Sequence, residues 1–324
     1  MTDAQPPLIS IALCTFNGER FLREQLDSLL AQDWPHIEIV AVDDASTDGT
    51  PQILASYAGR NARIRYTRNA HNRGYQKNFE AAISLCSGRW IAPCDQDDIW
   101  LPRKLSELAR ELATGAALLA YCDSELMDEN GRSLNRRVSD LRNRFSTDDP
   151  APYLLNNNAS GHAMLFCRSL LGLASPFPPS TFHDWWLAYV AASAGSVRYV
   201  DECLVRHRQH ATAVTNLGGA QPTVRAKARG FRRRDAVEIR ERIELFSRVP
   251  GKGQAFAQAL LALWRARETQ FISPRLAVFA WRHRQRLFAI QKSSEPKRMR
   301  QAAQLFWGLR TKQMLQPHRY AKSD

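Results

Sequence analysis

Three carboxylates lie within four positions of this chain, in the segment Asp95-Gln96-Asp97-Asp98. Side chains this crowded repel one another unless a cation or solvent relieves the repulsion. The Asp-x-Asp spacing of Asp95 and Asp97 allows two carboxylates on one turn to face a divalent cation. Oxygen ligands of this kind suit Mg²⁺ or Mn²⁺, which usually also bind water and phosphate oxygens. Taken alone, the triplet is more typical of a solvated turn before a helix, so its surroundings decide.

Three other polar segments occur in the first quarter of the chain: Thr15–Glu19, Asp43–Asp48 and Asn72-Arg73-Gly74. Asp, Ser, Thr and Gly are common in turns and at helix N-caps, so Thr47 or Asp48 is predicted to cap a helix. The adjacent acids Asp43 and Asp44 need another explanation, and hydrogen bonds to a base or a ribose are one.

Asn78 follows Gly74 by four residues. This segment indicates either a turn that starts a helix, or a site that places amides and a guanidinium beside the sugar and phosphates of a nucleotide. Both interpretations remain open at this point.

Apolar runs alternate with helical periodicity through the first 122 residues. Strands are predicted at 7–17, 37–42, 63–67, 90–93 and 116–122, and helices at 21–30, from about 50, at 75–86 and from 101 onward. This alternation predicts an α/β fold with a mostly parallel sheet and helices on both faces. Ligands bind at the carboxyl ends of the strands in such sheets. Because the polar clusters at 15–19, 43–48 and 95–98 each follow a strand, they are predicted to meet at one site.

Four segments carry a resemblance to a known family: ISIALCTFNGERFLREQLDSLLAQ, IEIVAVDDASTDGT, NRGYQKNFEAAI and CDQDDIW. In this order and spacing, over about residues 8–212, they resemble family 2 glycosyltransferases of the Rossmann-like GT-A fold. The form DQDDIW resembles bacterial rhamnosyltransferase-like members in particular. The resemblance implies metal-dependent, inverting transfer of a sugar from a nucleoside diphosphate to a hydroxyl. The implied acceptor is a glycan or a lipid-linked acceptor of bacterial surface polysaccharide synthesis, and dTDP-rhamnose is one candidate donor.

The resemblance also implies roles for the matching residues. A nucleotide-sugar donor would be bordered by Thr15, Asn17 and Glu19, would meet Asp44 at its base and Asp95 at its ribose or sugar, and would be bound further by Asn78 and Arg208. Asp97 would ligate Mg²⁺ or Mn²⁺. Such a metal neutralises the charge that develops on the leaving diphosphate.

Inversion also requires a general base on the face opposite the diphosphate. The resemblance implies Asp184, in the segment Thr181–Trp186, because a carboxylate opens a helix at this point in the family. The family often has Glu-Asp here, and His183 replaces the Glu. The alternative is an N-cap role for Asp184 ahead of the helix, and both roles are compatible. Trp185 and the tryptophan after it are predicted to belong to the core.

A basic cluster, Arg206–His210, follows the predicted core strands. Arg208 and His210 match an Arg-Gln-His segment that closes over the diphosphate in the family, and neutral His210 is a further candidate metal ligand. A basic surface loop is the alternative. The segment Asn158–His162 is interpreted either as the floor of the acceptor site or as a turn of small residues.

Charge divides the chain into two regions. Residues 1–217 contain 21 Lys and Arg against 25 Asp and Glu, whereas residues 218–324 contain 24 against 7. We therefore predict a catalytic GT-A domain over 1–217 and a basic helical extension over 218–324. In the extension, Arg alternates with Trp, Phe, Leu and Ile at helical spacing. This predicts helices that pack on the domain or lie on an anionic membrane surface, and nucleic acid ranks last because no RNA-binding motif is present.

Other features limit the location and class. The six cysteines are scattered without Cys-x-x-Cys spacing, which favours buried thiols in a reducing compartment. The start MTDAQPPLIS lacks a signal-peptide pattern, and no apolar run approaches the ~20 residues that span a bilayer. We expect a cytoplasmic enzyme on the inner face of the cell membrane. The alternatives are a nucleotidyltransferase, which would usually carry a Gly-rich basic loop where this chain has TFNGER, and a non-catalytic membrane or nucleic-acid adaptor.

Overall fold

A computed structural model describes residues 5–210 and 233–315 of the chain. Nine strands form one sheet in the order β3-β2-β1-β4-β8-β6-β9-β5, and β7 pairs with β6. The strands are β1 Ile9–Thr15, β2 Ile37–Asp43, β3 Ile64–Arg68, β4 Trp90–Cys94, β5 Ile99–Trp100, β6 Leu119–Met127, β7 Ser133–Arg137, β8 Met164–Cys167 and β9 Val197–Arg208. The first four are parallel, whereas β8 runs antiparallel to both β4 and β6.

Helices cover both faces of the sheet, as predicted. In the first 210 residues they are α1 Leu22–Leu30, α2 Thr50–Arg60, α3 Tyr75–Ser84, α4 Lys104–Ala113, α5 Leu171–Ala174 and α6 His183–Ala194. Alternation along β1 explains the two layers. Ile9, Ile11 and Leu13 pack against α1, α2 and α4 on one face, whereas Ala12 and Cys14 pack against α3 and α6 on the other. A strand buried on both faces needs such a continuous apolar run.

The strand register brings the polar clusters together. Thr15 at the end of β1 is paired with Asp43 at the end of β2, and Leu13 is paired with Cys94 at the end of β4. The loops that follow these three strands therefore leave the sheet at the same end. We call this end the carboxylate edge, and it consists of 15–19, 43–48 and 95–98. The predicted convergence of the three clusters is observed.

The described part of the extension is helical. Its helices are α7 Arg233–Phe246, α8 Gln254–Thr269, α9 Pro274–Arg282, α10 Arg284–Leu287, α11 Glu295–Gln304 and α12 Leu309–Leu315. Phe246 stacks on Tyr189 of α6 with ring centroids 4.1 Å apart, and Ile243 belongs to the same core cluster as α3 and α6. The extension therefore packs on the first domain, while the predicted boundary at 217/218 lies outside the described residues.

Three details of the elements bear on the predictions. The helix predicted from residue 101 begins at Lys104, after a turn. All six cysteines are free, and four of them are buried. Within 5–210 and 233–315, no helix combines the length and the apolar character that crossing a membrane requires.

Candidate functional site

Asp43 holds the second loop of the carboxylate edge, residues 43–48. Thr15 Oγ1 donates to Asp43 Oδ1 at 2.9 Å, and the Ser46 amide donates to Asp43 Oδ2 at 3.0 Å. The Asp44 amide donates to the Thr15 carbonyl at 2.8 Å. Asp43 is fully buried and fixes the start of the loop, a role that the sequence did not reveal because only the partners of Asp43 distinguish it from Asp44.

Asn17 and Glu19 bind the same loop from the other side. The Thr47 amide donates to Asn17 Oδ1 at 2.9 Å, and the Gly49 amide donates to Glu19 Oε2 at 2.8 Å. A Cβ at Gly49 would lie 2.6 Å from the Glu19 carboxylate, so this position requires glycine in the observed arrangement. Both side chains lie at the predicted site, and their predicted contacts with a nucleotide stay predictions.

Asp44 orders the turn before α3. Its carboxylate accepts hydrogen bonds from the amides of Arg73 (2.8 Å) and Gly74 (2.9 Å) and from Asn69 Nδ2 (2.8 Å). Asn69 Nδ2 also donates to Asn78 Oδ1 at 2.9 Å, and Asn78 Nδ2 donates to the Val42 carbonyl in β2 at 3.0 Å. Asn78 is buried, and its side-chain Oδ1 and Nδ2 are both hydrogen-bonded inside the protein. The turn interpretation of 72–74 is thus confirmed, while donor binding by Asp44 and Asn78 remains a prediction.

Gln96 fixes the turn between the two acids of the Asp-x-Asp triplet. The Phe16 amide donates to Gln96 Oε1 at 2.8 Å, and Gln96 Nε2 donates to the Phe16 carbonyl at 3.0 Å. A Cβ at Gly18 would lie 2.2 Å from Gln96 Oε1, so the glutamine fills that space. The middle residue of the triplet therefore joins the third loop to the first, although the motif gives no signal for it.

Like charges crowd the triplet. Burial raises the pKa of Asp95 well above its ordinary value, and the negative charges of Asp97, Asp98 and Asp184 raise it further. A bound cation would relieve this repulsion. The same effect shows that Asp184 lies within electrostatic range of the triplet.

Asp97 and His210, the two predicted metal ligands, are in contact. His210 Nε2 lies 2.7 Å from Asp97 Oδ2, and the two side chains remain 10% and 17% exposed. A carboxylate and an imidazole side by side at a partly solvated position fit a divalent cation, which would replace their mutual contact.

Arg208 contacts the backbone next to this pair. Its guanidinium donates to the Asp97 carbonyl at 2.8 Å and to the Glu129 carbonyl at 3.1 Å, and it forms an ion pair with Glu24. Arg208 is buried, and its guanidinium makes all three of these contacts within the protein. The predicted contact of Arg208 with a diphosphate stays a prediction, and its observed contacts hold the backbone of Asp97.

A second group of metal-ligand type lies one residue further along. Asp98, His162 and His207 are all buried, and their potential ligand atoms lie within 4.8 Å of one another. However, the two imidazole rings are stacked, with centroids 4.1 Å apart and planes inclined by 8°. Lone pairs of nitrogen lie in the ring plane, so those of two parallel rings do not converge on one ion. Binding a cation here would require one ring to turn.

This second group is better described as a buried ion pair. His207 Nδ1 lies 2.9 Å from Asp98 Oδ1, and the Arg208 amide donates to the same oxygen at 2.9 Å. Burial opposes charge on Asp98, but the neighbouring His207 and His162 hold the pKa of its carboxyl below the usual range. Burial also opposes charge on His207, whose pKa is nevertheless raised by Asp98, whereas burial lowers the pKa of His162. The pair joins the triplet to the end of β9.

A buried lysine, which the sequence reading did not single out, adjoins this pair. Lys104, the first residue of α4, donates to the His162 carbonyl at 2.7 Å and lies over the Trp100 ring. Burial lowers the pKa of Lys104 to about 7. His162 is therefore enclosed by this network, whereas the amide of Gly161 in the same segment contacts the Asp184 carboxylate. The interpretation of 158–162 as the floor of the acceptor site stays a prediction.

Asp184 lies in the first turn of α6. The N-cap is Phe182, so the N-cap interpretation of Asp184 was wrong. Its carboxylate accepts hydrogen bonds from the Trp185 amide at 2.6 Å and from the Gly161 amide at 3.3 Å. Burial raises the pKa of Asp184 to about 6, against these two hydrogen bonds and the positive charge of Arg142. A carboxylate with this pKa is suited to accept a proton near neutral pH.

His183 next to it has a packing role. The ring is buried and stacks on Phe79 with centroids 4.2 Å apart, and burial lowers its pKa to about 3. A Cβ at Gly161 would lie 2.8 Å from His183 Nε2, which explains a glycine opposite the ring. The histidine in place of the family's Glu is therefore a neutral aromatic group that positions the start of α6.

Comparisons with known proteins give one family and one fold. Residues 10–172 match the family model described as glycosyl transferase family 2. An uncharacterized glycosyltransferase of Rickettsia prowazekii is 29% identical over 215 residues, which cover 65% of this chain and 66% of that protein, slightly less than two thirds of its length. A provisionally named teichuronic acid biosynthesis glycosyltransferase of Bacillus subtilis, TuaG, is 30% identical over 132 residues, covering 41% of this chain and 52% of that protein.

Two solved structures share the fold. Residues 1–349 of Staphylococcus aureus TarS with UDP-GlcNAc superpose with a TM-score of 0.56 and 18% identity, over 92% of this chain and 79% of that chain. A mannosyltransferase of Pyrobaculum calidifontis, PcManGT, with GDP-Man and Mn²⁺ gives a TM-score of 0.52 and 19% identity, over 98% of this chain and 83% of that chain. The predicted GT-A fold is confirmed.

Proposed function

This chain belongs to glycosyltransferase family 2, and we propose that it transfers a sugar from a nucleoside diphosphate donor to an acceptor hydroxyl with the help of a divalent cation. The observation that carries the proposal is the contact of Asp97 Oδ2 with His210 Nε2 at 2.7 Å beside Asp95 at the carboxylate edge, a pair of side chains of the type that binds a divalent cation. Family membership favours this activity over a nucleotidyltransferase and over a non-catalytic adaptor.

The side chains divide into a donor part and an acceptor part. Asp97 and His210 would hold Mg²⁺ or Mn²⁺, which would neutralise the charge of the leaving diphosphate. Thr15, Asn17, Glu19, Asp44 and Asp95 would surround the nucleoside and the sugar. Asp184 accepts the proton of the attacking hydroxyl, because its pKa of about 6 leaves it ionised at neutral pH and still basic enough to take a proton.

The donor and the acceptor are assigned from the motif and the relatives. The segment DQDDIW supports dTDP-rhamnose as the donor, whereas the names of the two solved structures mention UDP-GlcNAc and GDP-Man. The Bacillus subtilis relative is named for teichuronic acid biosynthesis, which supports a glycan or lipid-linked acceptor in surface polysaccharide synthesis. A donor screen decides among these nucleotides.

The extension is proposed to hold this cytoplasmic enzyme against the inner face of the cell membrane. Arg275, Val278, Trp281 and Arg282 share the exposed side of α9, and we call them the α9 face. Val278 and Trp281 are 51% and 41% exposed, although large apolar side chains at helical spacing are usually buried. Aromatic and basic residues side by side are typical of helices that lie in the interface of an anionic bilayer.

Nucleotide binding tests the proposed function. UDP, GDP and dTDP are titrated into the full chain with and without Mn²⁺, for the wild type and for Asp97→Ala. We expect Mn²⁺-dependent binding of at least one nucleotide, lost in Asp97→Ala and kept in Asp148→Ala, whose side chain is exposed. Equal affinity in all three proteins, independent of metal, would contradict the proposal.

A further inference from the structure

A cavity lies between the first domain and the extension, away from the residues assigned above. Its volume is about 550 Å³, which lies within the range of ordinary ligand sites. Three segments line it: the loop after β7, the middle of β9 and the region from α10 to α11. Its polar lining includes Asn143, Arg144, Tyr199, Asp201, Lys292 and Arg298.

We propose that this cavity binds a phosphate-class anion, in addition to the nucleotide site and without a divalent cation. Its charged lining consists of Arg144, Lys292 and Arg298 against one carboxylate, Asp201. That carboxylate already accepts a hydrogen bond from Tyr199 Oη at 2.9 Å. The cations come from the loop and from the extension, so they do not form a row on one helix.

Arg144 gives the second observation. Its side chain is 1% exposed, and Nη1 donates to the Cys122 carbonyl at 2.7 Å. Nε lies 3.4 Å from Asp123 Oδ1, an ion pair without hydrogen-bond geometry. Among the described residues, Nε and Nη2 have no hydrogen-bond partner. Buried guanidinium N–H groups are rarely left unsatisfied, and an acceptor within the cavity would complete them.

Arg298, on the extension side of the cavity, also has a guanidinium N–H without a partner. Its Nη1 donates to Gln285 Oε1 at 2.9 Å, whereas its Nε is buried and has no partner in the part of the chain that the structure describes. Guanidinium groups bind the oxygens of phosphate in pairs, and Lys292 adds a point charge. Three cations suit a multiply charged phosphate or diphosphate better than a single carboxylate. The volume leaves room for the group that carries the phosphate.

The loop that lines the cavity also carries a residue whose charge acts on the proposed base. Arg142 lies two residues before Arg144, and its positive charge lowers the pKa of Asp184. The Asn143 amide donates to the Ile290 carbonyl at 2.8 Å, which joins the cavity loop to the extension. An anion in the cavity would therefore lie near the segment that faces the proposed base. The diphosphate of a lipid-linked acceptor and free pyrophosphate share the required chemistry.

Pyrophosphate binding without divalent cations tests the site. Pyrophosphate is titrated calorimetrically into the full chain in the presence of EDTA, so that metal-dependent binding at the carboxylate edge does not contribute. We expect the double variant Lys292→Gln, Arg298→Gln to lose affinity by about tenfold or more, because two charge-assisted contacts are removed. The double variant Arg275→Gln, Arg282→Gln changes the net charge equally on the α9 face and should bind like the wild type.

Several outcomes would overturn the proposal. They are the absence of binding in EDTA, equal binding by the wild type and the cavity variant, and an equal loss in the α9-face variant, which would indicate non-specific charge. Acetate that competes as well as inorganic phosphate would refute the phosphate assignment. Loss of Mn²⁺-dependent UDP binding in the cavity variant would show that the two sites are not separate.

The source of the phosphate is decided by a second titrant. Geranyl diphosphate that binds more tightly than pyrophosphate supports a lipid headgroup, and pyrophosphate that binds as tightly or more tightly supports a free anion. Because both titrations are done in EDTA, the cavity proposal can fail while Mn²⁺-dependent UDP binding succeeds, and the reverse.

Discussion

The carboxylate edge and the α9 face depart from the usual distribution of residues in opposite ways. At the edge, Asp43, Asp44 and Asp98 are buried charges, which globular proteins tolerate only when they are paired or hydrogen-bonded. On the α9 face, Val278 and Trp281 are exposed apolar groups among arginines. Each departure indicates a function, but the two differ in how complete they are.

Most oxygens of the buried acids are hydrogen-bonded within the protein, although Asp98 Oδ2 has no hydrogen-bond partner among the described residues. Asp44 accepts three hydrogen bonds, and Asp98 is bonded by His207 and by the Arg208 amide. The loops of the edge are therefore held by the protein's own hydrogen bonds before a ligand arrives, and the crowding of Asp95 with its neighbouring acids favours a cation. The apolar groups of α9 have no comparable cover among the described residues. The comparison thus separates a site that is preformed from a surface that is complete only when a partner covers it.

Removal of the base should have the largest effect on the edge. Asp184→Asn keeps the shape of the side chain but not its basicity, and kcat/KM for transfer should fall by ~10²–10⁴-fold. Mn²⁺-dependent nucleotide binding should be unchanged. Steady-state kinetics and nucleotide titration on the same preparation check this, with Asp140→Asn as the exposed control. Transfer at nearly the wild-type rate would rule out this role for Asp184.

Breaking the buried pair should destabilise the edge strongly. Asp98→Asn leaves His207 without its carboxylate in a buried position, which should cost about 3–5 kcal/mol in the free energy of unfolding. Urea denaturation measures it. Asp148→Asn, at an exposed position, should change stability by no more than about 0.5 kcal/mol. If Asp98→Asn is as stable as this control, the edge is not held by the pair.

The pH dependence of transfer should follow the burial of Asp184. Because burial raises the pKa of Asp184 to about 6, the active ionised form is lost below that pH. The logarithm of kcat/KM should therefore rise with a slope of about one at acidic pH, which is tenfold per unit, and level off above the pKa. A profile that stays flat through this range would contradict the assignment.

The raised pKa of Asp184 also affects the stability of the fold. The ionised carboxylate that favours transfer disfavours the folded state. A carboxyl whose pKa is raised in the folded state stabilises the fold only at acidic pH, and this contribution is lost as the pH rises through about 6. Asp184→Asn should therefore be more stable than the wild type at neutral pH, by up to about 3 kcal/mol for a shift of this size. Because Asp184 is partly accessible, a smaller gain is expected than this upper value. Urea unfolding at acidic and neutral pH gives the difference.

Substitutions on the α9 face should have the smallest effects. Each basic residue near an anionic bilayer contributes about 1 kcal/mol, so Arg282→Gln should weaken binding to phosphatidylserine-containing vesicles by roughly fivefold. Added salt should weaken binding of the wild type as well. Co-sedimentation of the full chain measures this. Arg60→Gln, at an exposed position at the end of α2, is the matched control. Failure of the wild type to sediment at low salt would refute the membrane proposal, and equal loss in both variants would refute the α9 face.

The sequence was sufficient for the features that depend on neighbouring residues. Apolar runs predicted the strands that end at Thr15, Asp43 and Cys94, and a parallel arrangement of those strands was enough to predict one edge. The GT-A fold followed from the motifs. The contact between Asp97 and His210 was anticipated only through family resemblance.

The features that were missed depend on contacts between distant segments. Gln96 binds the backbone of Phe16, and Asp98 binds His207, through pairings of loops far apart in the chain. No local pattern distinguishes Asp98 from Asp97, because the two differ in burial and not in their neighbouring residues. The N-cap interpretation of Asp184 failed because periodicity predicts a helix but not the residue at which it begins.

The hydrogen bonds from Asn143 to the backbone at 289–291 make the two regions poor candidates for exchange as modules. The family model ends at residue 172 and does not cover the extension. A chimera that joined this first domain to another extension would lose the partner of the loop that carries Arg142. The charge beside Asp184 would then change, and with it the pH at which the enzyme works. A change in the sequence of the extension would thus alter the pH dependence of the reaction at Asp184.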